Sequence, residues 1–293
     1  MEDGVEPMKR SRWVVVLLWL VPVWLLVSAG GGIWMYFQAQ KAKARKESAK
    51  FSHQVSAAAM AADMRKLKTM IGPRDPAIDG GIGLTRAAAW IEGTLGPSNT
   101  GYDVKKSAGP DQWPILDASI HGTDEKAPAL WVVVGYDSAT GQDEPSADAA
   151  LLAEIAAAAS IAGSQFPGAV HFVFIPHGHG PTKLTPETRD KLMAMIRQEG
   201  PALAVLCLWD FSNGQFVNIS TRDATNPALA VVPSAFGTVS PATDGTPLTD
   251  ALFAAGLPAV RVSASRAEEA DADQLTPLTG QLVELIRAVA SKK

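Results

Sequence analysis

Three apolar runs in the chain end in carboxylates or imidazoles. Asp137 follows Ala129–Val134, and Asp143 lies in the loop beyond it. His177 and His179 follow Ala169–Ile175, and Asp210 follows Ala202–Trp209. Apolar runs without alternation read as strands covered on both faces. In open α/β sheets, chemistry collects beyond the carboxyl ends of such strands. Oxygen and nitrogen ligands converging there, with a bridging carboxylate and a separate base for water, are what a two-metal hydrolytic site requires. Read singly, each residue is ordinary, since an Asp after a strand commonly forms a turn or caps a helix. His171, inside a strand, and His121, before a turn, are read as structural.

The elements that must position these groups follow from periodicity. Ala129–Val134 opens a strand, loop and alanine-rich helix unit, in which Ser146 is placed as the cap of a helix starting near Ala147. Leu151, Leu152, Ile155 and Ile161 form its apolar face, and Gly163 ends it. Leu84–Leu95, Pro186–Gln198 and Leu278–Ala290 are further helices, with a short one ending at Gly256. Ile115–Ile120, Ala169–Ile175, Ala202–Trp209, Phe216–Ile219 and Pro258–Val262 are further strands. Strands alternating with helices predict a three-layer α/β/α sandwich around a mixed sheet, largely parallel at its centre.

The N-terminus has a different character. Residues 1–12 are polar and end in Lys9, Arg10 and Arg12; Trp13–Phe37 is then 25 residues without a charge. That length spans a bilayer with some tilt, and Trp13, Trp34 and Tyr36 suit its interfaces. Val27-Ser28-Ala29 fits a signal-peptidase site, but apolar character continues past it, so the span is read as an uncleaved anchor. The basic N-terminus and Lys41–Lys50 argue for opposite orientations; the reading favours an extracytoplasmic domain. Residues 38–71 form a helical stalk, ended by Gly72-Pro73, and residues 72–293 form the domain.

Charge divides accordingly. Residues 1–50 hold eight Lys/Arg against four Asp/Glu, and the remainder holds 18 against 26. An acidic domain has no electrostatic reason to bind nucleic acid. The single cysteine, Cys207, excludes an intrachain disulfide and a cysteine-built zinc cage, and reads as a buried small hydrophobe.

From Pro73 to the last helix, three quarters of the chain resembles the co-catalytic zinc aminopeptidases of metallopeptidase family twenty-eight, related to aminopeptidase S, aminopeptidase Y and glutaminyl cyclase. The segments that carry it are ILDASIHGTDEKAPALWVVVGYDS, ADAALLAEIAAAAS, VHFVFIP, ALAVLCLWDFSNG and LFAAGLPAV. The resemblance implies an α/β/α domain with a sheet of about eight strands. It also assigns site positions, and many are changed. Gly135 stands at the first His ligand, with Asp137 as the aspartate that braces it. Asp143 matches the bridging carboxylate. The family's Glu-Glu pair, general base and ligand, falls on His177 and Gly178. Asp210 matches the later aspartate ligand, and Asp250 falls at the last His.

Two of five ligand positions thus keep the family's residue type, while Gly135 and Gly178 cannot ligate through a side chain. Each zinc draws on about three protein ligands, so the expectation is a catalytically degenerate, membrane-anchored binding or scaffold domain without a metal cofactor. The transferrin receptor ectodomain and nicalin are such domains on this fold. Its partner would be another membrane protein contacting the stalk. The alternative is a zinc-dependent exopeptidase or amidohydrolase acting on peptides, its site rebuilt from Asp143, His177, His179 and Asp210.

Overall fold

The computed structural model describes residues 19–20, 23–24, 28, 30–36, 54–138, 145–178, 185–211, 214–234, 236, 240–241, 247–264 and 271–292. Two compact units result, Met1–Glu47 and Ser48–Lys293. In the first, the described residues between 19 and 36 are helical, and Trp19, Trp24, Trp34 and Tyr36 are exposed. Among the described residues no helix is long and apolar enough to cross a membrane, and about half of the expected span 13–37 lies outside them.

The second unit is built on an eight-stranded sheet. Its strands are β1 (Val104–Ser107), β2 (Ile115–Ile120), β3 (Ala129–Gly135), β4 (Val170–Ile175), β5 (Ala202–Leu208), β6 (Asn218–Thr221), β7 (Ser240–Pro241) and β8 (Ala259–Ser263). Their order is β1-β2-β4-β3-β5-β8-β6-β7. β4, β3, β5 and β8 run parallel; β1, β2 and β6 pair antiparallel with their inner neighbours. All seven residues of β3 are buried, as its unbroken run of apolar residues requires.

Helices cover both faces. They are α1 (Ala57–Lys66), α2 (Ile82–Leu95), α3 (Pro145–Ser160), α4 (Pro186–Glu199), α5 (Ala228–Val231), α6 (Pro247–Ala254) and α7 (Ala272–Ala290). One core joins α1, α2, α3 and α7 to the sheet through Val132, Val134, Phe172, Phe174 and Leu206. The other joins α4 and α6 through Trp131, Val133, Val173, Val205 and Cys207. Alternate residues of one strand serve opposite cores, as a period of two dictates. β3 connects through α3 to β4 on one side, and β4 through α4 to β5 on the other. The chain therefore reverses direction at β3, and such a switch point leaves a crevice at the carboxyl ends of the strands.

Several elements depart from the sequence reading. α3 starts at Pro145, before Ser146, so that serine lies inside the first turn; proline's fixed φ suits it to the first helical position. Ala149, Ala150, Leu151, Leu152, Ala153, Ala157 and Ala158 are all buried, so α3 is enclosed rather than amphipathic. α1, α2 and α7 pack over its outer side, which small alanine side chains permit. α7 begins at Ala272, capped by the Asp271 side chain, and Pro277 inside it hides that start from a periodicity reading. β1 was not expected: Lys105 and Lys106 break its apolar pattern, which is how edge strands are protected.

The described part of the stalk is integral to the domain. Ser56 caps α1, whose last turn widens into a π turn at Leu67–Ile71 before Gly72, at φ 76°, breaks the helix. Met60, Leu67 and Ile71 are buried in the core shared with α3 and α7.

Candidate functional site at the carboxyl ends of the central strands

The turn after β3, Tyr136-Asp137-Ser138, is held from three sides. Tyr136 N–H donates to the Ile175 carbonyl at 2.9 Å, tying it to the end of β4. The Tyr136 hydroxyl donates to the Pro114 carbonyl at 2.8 Å. Burial, with the charge of Asp137 adding to it, pushes that phenol above its usual range. Asp137 is buried, and its Oδ1 accepts the Gly178 N–H at 2.7 Å.

Gly135 and Gly178 meet at this point. A Cβ built on Gly178 would lie 2.5 Å from the Gly135 Cα and 2.9 Å from its nitrogen. No side chain fits at 178 while the two backbones stand this close. The turn after β4 is thus folded down onto the end of β3, and Asp137 clamps it there.

His177, beside this contact, is buried against the Trp113 indole, edge to face, with ring centroids 5.7 Å apart. Neither of its ring nitrogens has a hydrogen-bond partner, nor has the buried Trp113 Nε1. Asp111 Oδ2 is 4.0 Å from His177 Nε2, beyond hydrogen-bond reach. Asp111 and Gln112 both adopt left-handed backbone, at φ 55° and 86°. Two consecutive non-glycine residues there store strain that the surroundings must hold. Gly81 packs under Trp113, and a Cβ on it would lie 2.2 Å from the indole.

Arg74 brings a cation to the turn after β3. Its side chain is 3% exposed. Nε donates to the Tyr136 carbonyl at 2.7 Å, and Nη2 pairs with Asp148 in the first turn of α3. The backbone on either side is tied to the turn as well: Arg74 N–H donates to Ser138 Oγ at 2.9 Å, and Ser138 N–H to the Arg74 carbonyl at 3.0 Å.

The remaining expected ligands fall in different places. Asp210 follows β5 and is half-buried; Val133 stands opposite Cys207, so it ends level with the turn after β3. Its carbonyl accepts the Ala264 N–H at 2.6 Å. Asp250 lies in α6 and forms an ion pair with Arg222 at 2.9 Å. Asp143 and His179 lie outside the described residues. Among the described residues, no three His, Cys, Asp or Glu side chains converge as a metal would require.

Solved structures of other proteins share the fold. Legionella pneumophila LapA aminopeptidase superposes with a TM-score of 0.63 at 14% identity, over 87% of this chain and 75% of that one. The fold is shared at low sequence identity. A leucine aminopeptidase precursor from Bacteroides thetaiotaomicron gives 0.60 at 10% identity, covering 83% of this chain and 99% of that one. Tannerella forsythia glutaminyl cyclase gives 0.57 at 12% identity, covering 82% of this chain and all of that one. No family model matches the sequence, and no curated protein matches it significantly. The parallel pairing of β3 with β4 and β5 puts Gly135, Asp137, His177, Gly178 and Asp210 at the same edge of the sheet.

Arg74, Trp113 and Asp148 were not singled out in the sequence. The available signal for Arg74 is its setting, Pro73-Arg74-Asp75-Pro76, a charge fixed between two prolines just after a helix stop. Glu154 was also missed. It is fully buried within α3, neither carboxylate oxygen has a well-formed hydrogen bond, and its polar character is masked by the alanines around it. Burial pushes its carboxyl well above the usual range; the nearby Val173 backbone offsets this only in part. His171 is structural, as expected. Its Nδ1 meets both Asp117 oxygens at 3.0 and 3.1 Å, and its ring stacks on Trp131 at 3.9 Å. Cys207 is a buried free thiol, pushed up to about 12 chiefly by burial.

Proposed function

We propose that this chain is a catalytically degenerate exopeptidase-fold domain, anchored in a membrane through residues 13–37 and acting as a binding or scaffold module. The observation that carries this reading is the contact between Gly135 and Gly178. By the resemblance, these are two ligand positions, and here the Gly135 backbone fills the space that a side chain at 178 would need. The Asp137 carboxylate, the expected brace of a ligating histidine, is bonded instead to the Gly178 N–H. Asp250 is paired with Arg222. The described residues at these positions do not fit a two-zinc pair. The membrane partner expected to contact the stalk would have to engage the exposed side of residues 57–71, whose other side is committed to the domain core.

A second reading has one specific observation behind it. His177 is buried at the sheet edge with both ring nitrogens unpartnered, as a general base held for substrate would be. On that reading the chain is an active peptide exopeptidase or amidohydrolase with a reorganised zinc site.

Turnover assays separate the two. Purified full-length chain is incubated with aminoacyl chromogenic substrates and zinc, cobalt or manganese. The degenerate reading expects no turnover with any metal. Metal-dependent turnover lost in both His177→Ala and Asp210→Ala would replace it with the second.

A further inference from the structure

The cations of the Ser48–Lys293 unit are unevenly placed. Residues 51–86 hold five Lys/Arg against three Asp/Glu, while residues 87–293 hold 13 against 23. Arg74 and Asp75 are buried, so the surface of the first stretch carries Arg65, Lys66, Lys68 and Arg86 with Asp63 and Asp79. We infer that the exposed face made by the π turn after α1 and the start of α2, with Arg65, Lys68, Met70, Ile82 and Arg86, lies against the anionic headgroups of a phospholipid surface; this rests on the membrane-anchored reading above.

Charge and apolar surface coincide on this face. Lys66 is committed to the domain, over the Trp90 ring at 5.6 Å and 3.8 Å from Asp63. Arg65 and Arg86 are exposed. Arg65 Nε donates to the Ala61 carbonyl and Arg86 Nη1 to the Met70 carbonyl, both at 3.4 Å. A neutral carbonyl does not cancel a guanidinium charge. The second bond also sets Arg86 beside Met70, and Ile82 stands one turn earlier on the same face of α2. Among the described residues of this unit, the exposed large apolar side chains are Met70, Ile82 and Phe216, so two of the three flank one arginine. Cations around exposed apolar side chains match a headgroup layer, where phosphates meet the cations and the apolar groups enter the acyl boundary. The sequence brings such a layer near. Only the 19 residues 38–56 separate the expected span from α1, and in them Lys41, Lys43, Arg45, Lys46 and Lys50 outnumber Glu47. A short tether gives the domain a high effective concentration at the surface, and basic residues beside a span attract anionic lipid. An acidic domain held there is repelled unless it turns a basic face to the lipid.

Lipid-borne quenching tests it. Cys207 is buried, so a cysteine introduced on the surface takes a fluorescent label selectively. Full-length Met70→Cys and, as the control, Phe216→Cys are labelled and reconstituted into nanodiscs carrying nitroxide lipid. The discs are made of phosphatidylcholine alone or mixed with phosphatidylglycerol. The label at 70 should be quenched in the anionic discs, released by high salt, and quenched far less in phosphatidylcholine; the label at 216 should stay bright in both. Adding Arg65→Gln/Arg86→Gln to Met70→Cys should return quenching at 70 to the phosphatidylcholine level, with Tm unchanged. No quenching at 70, equal quenching at 70 and 216, or equal quenching at 70 in both lipids overturns the inference. A label at 70 that lipid leaves bright but that is shielded from iodide marks a second copy or a copurified protein on this face, and also overturns it. Each of those results leaves the anchor intact, whereas a chain that stays in solution and never enters the discs overturns the anchored reading and this inference together.

Discussion

A methyl group at position 178 has nowhere to go. It would meet the Gly135 backbone at 2.5 Å, with no flexible side chain to yield. Gly178→Ala should therefore cost about 2–3 kcal/mol in urea unfolding, in the range of overpacked core sites, although alanine is otherwise a mild change. Gly93, where a Cβ would meet nothing within 4 Å, supplies the control, since alanine there should be neutral or stabilising. Glu154 makes the second residue-level prediction. Its folded pKa lies above its unfolded value, so the native state holds the proton more tightly. Stability is then greatest below the unfolded value, near 4.5, and declines as pH rises from there towards the folded value. Glu154→Gln should remove that decline and leave the protein more stable than the parent at pH 8, as read from unfolding midpoints across pH. A parent and variant with parallel pH profiles would contradict it.

Among the elements, β2 and β4 are joined by more than their ladder. Asp117 on β2 receives His171 Nδ1 from β4, and Trp131 on β3 stacks on that imidazole. All three side chains are buried. Asp117→Ala should destabilise by about 3 kcal/mol or more, because it strands a buried donor as well as losing the pair. Asp117→Ala/His171→Phe should cost less than the sum of its single variants. A strictly additive cycle would show that the dyad contributes no coupling between the strands. This pair also explains why His171 was legible as structural: a histidine within an unbroken apolar strand must find its partner on a neighbouring strand. The central strands were legible for the same reason, as unbroken apolar runs have few other uses. β1 was not, since an edge strand carries lysines for protection, and the first turn of α7 was not, since Pro277 interrupts its pattern.

For the molecule as a whole, the fold was readable from order and spacing, and the similar solved structures share it at 10–14% identity. The sheet-edge positions of Asp137, His177 and Asp210 were readable too, because strand ends fix them. What a residue-type alignment could not supply was how the turn after β3 is held. That depends on backbone approach, as between Gly135 and Gly178, and on long-range partners, as between Arg74 and Asp148 across 74 positions of sequence. The metal content of the full-length protein tests the degenerate reading most directly. Protein purified without chelators, dialysed and analysed by inductively coupled plasma mass spectrometry should hold far less than one zinc per chain. A full equivalent of tightly bound zinc, lost in Asp210→Ala, would contradict it.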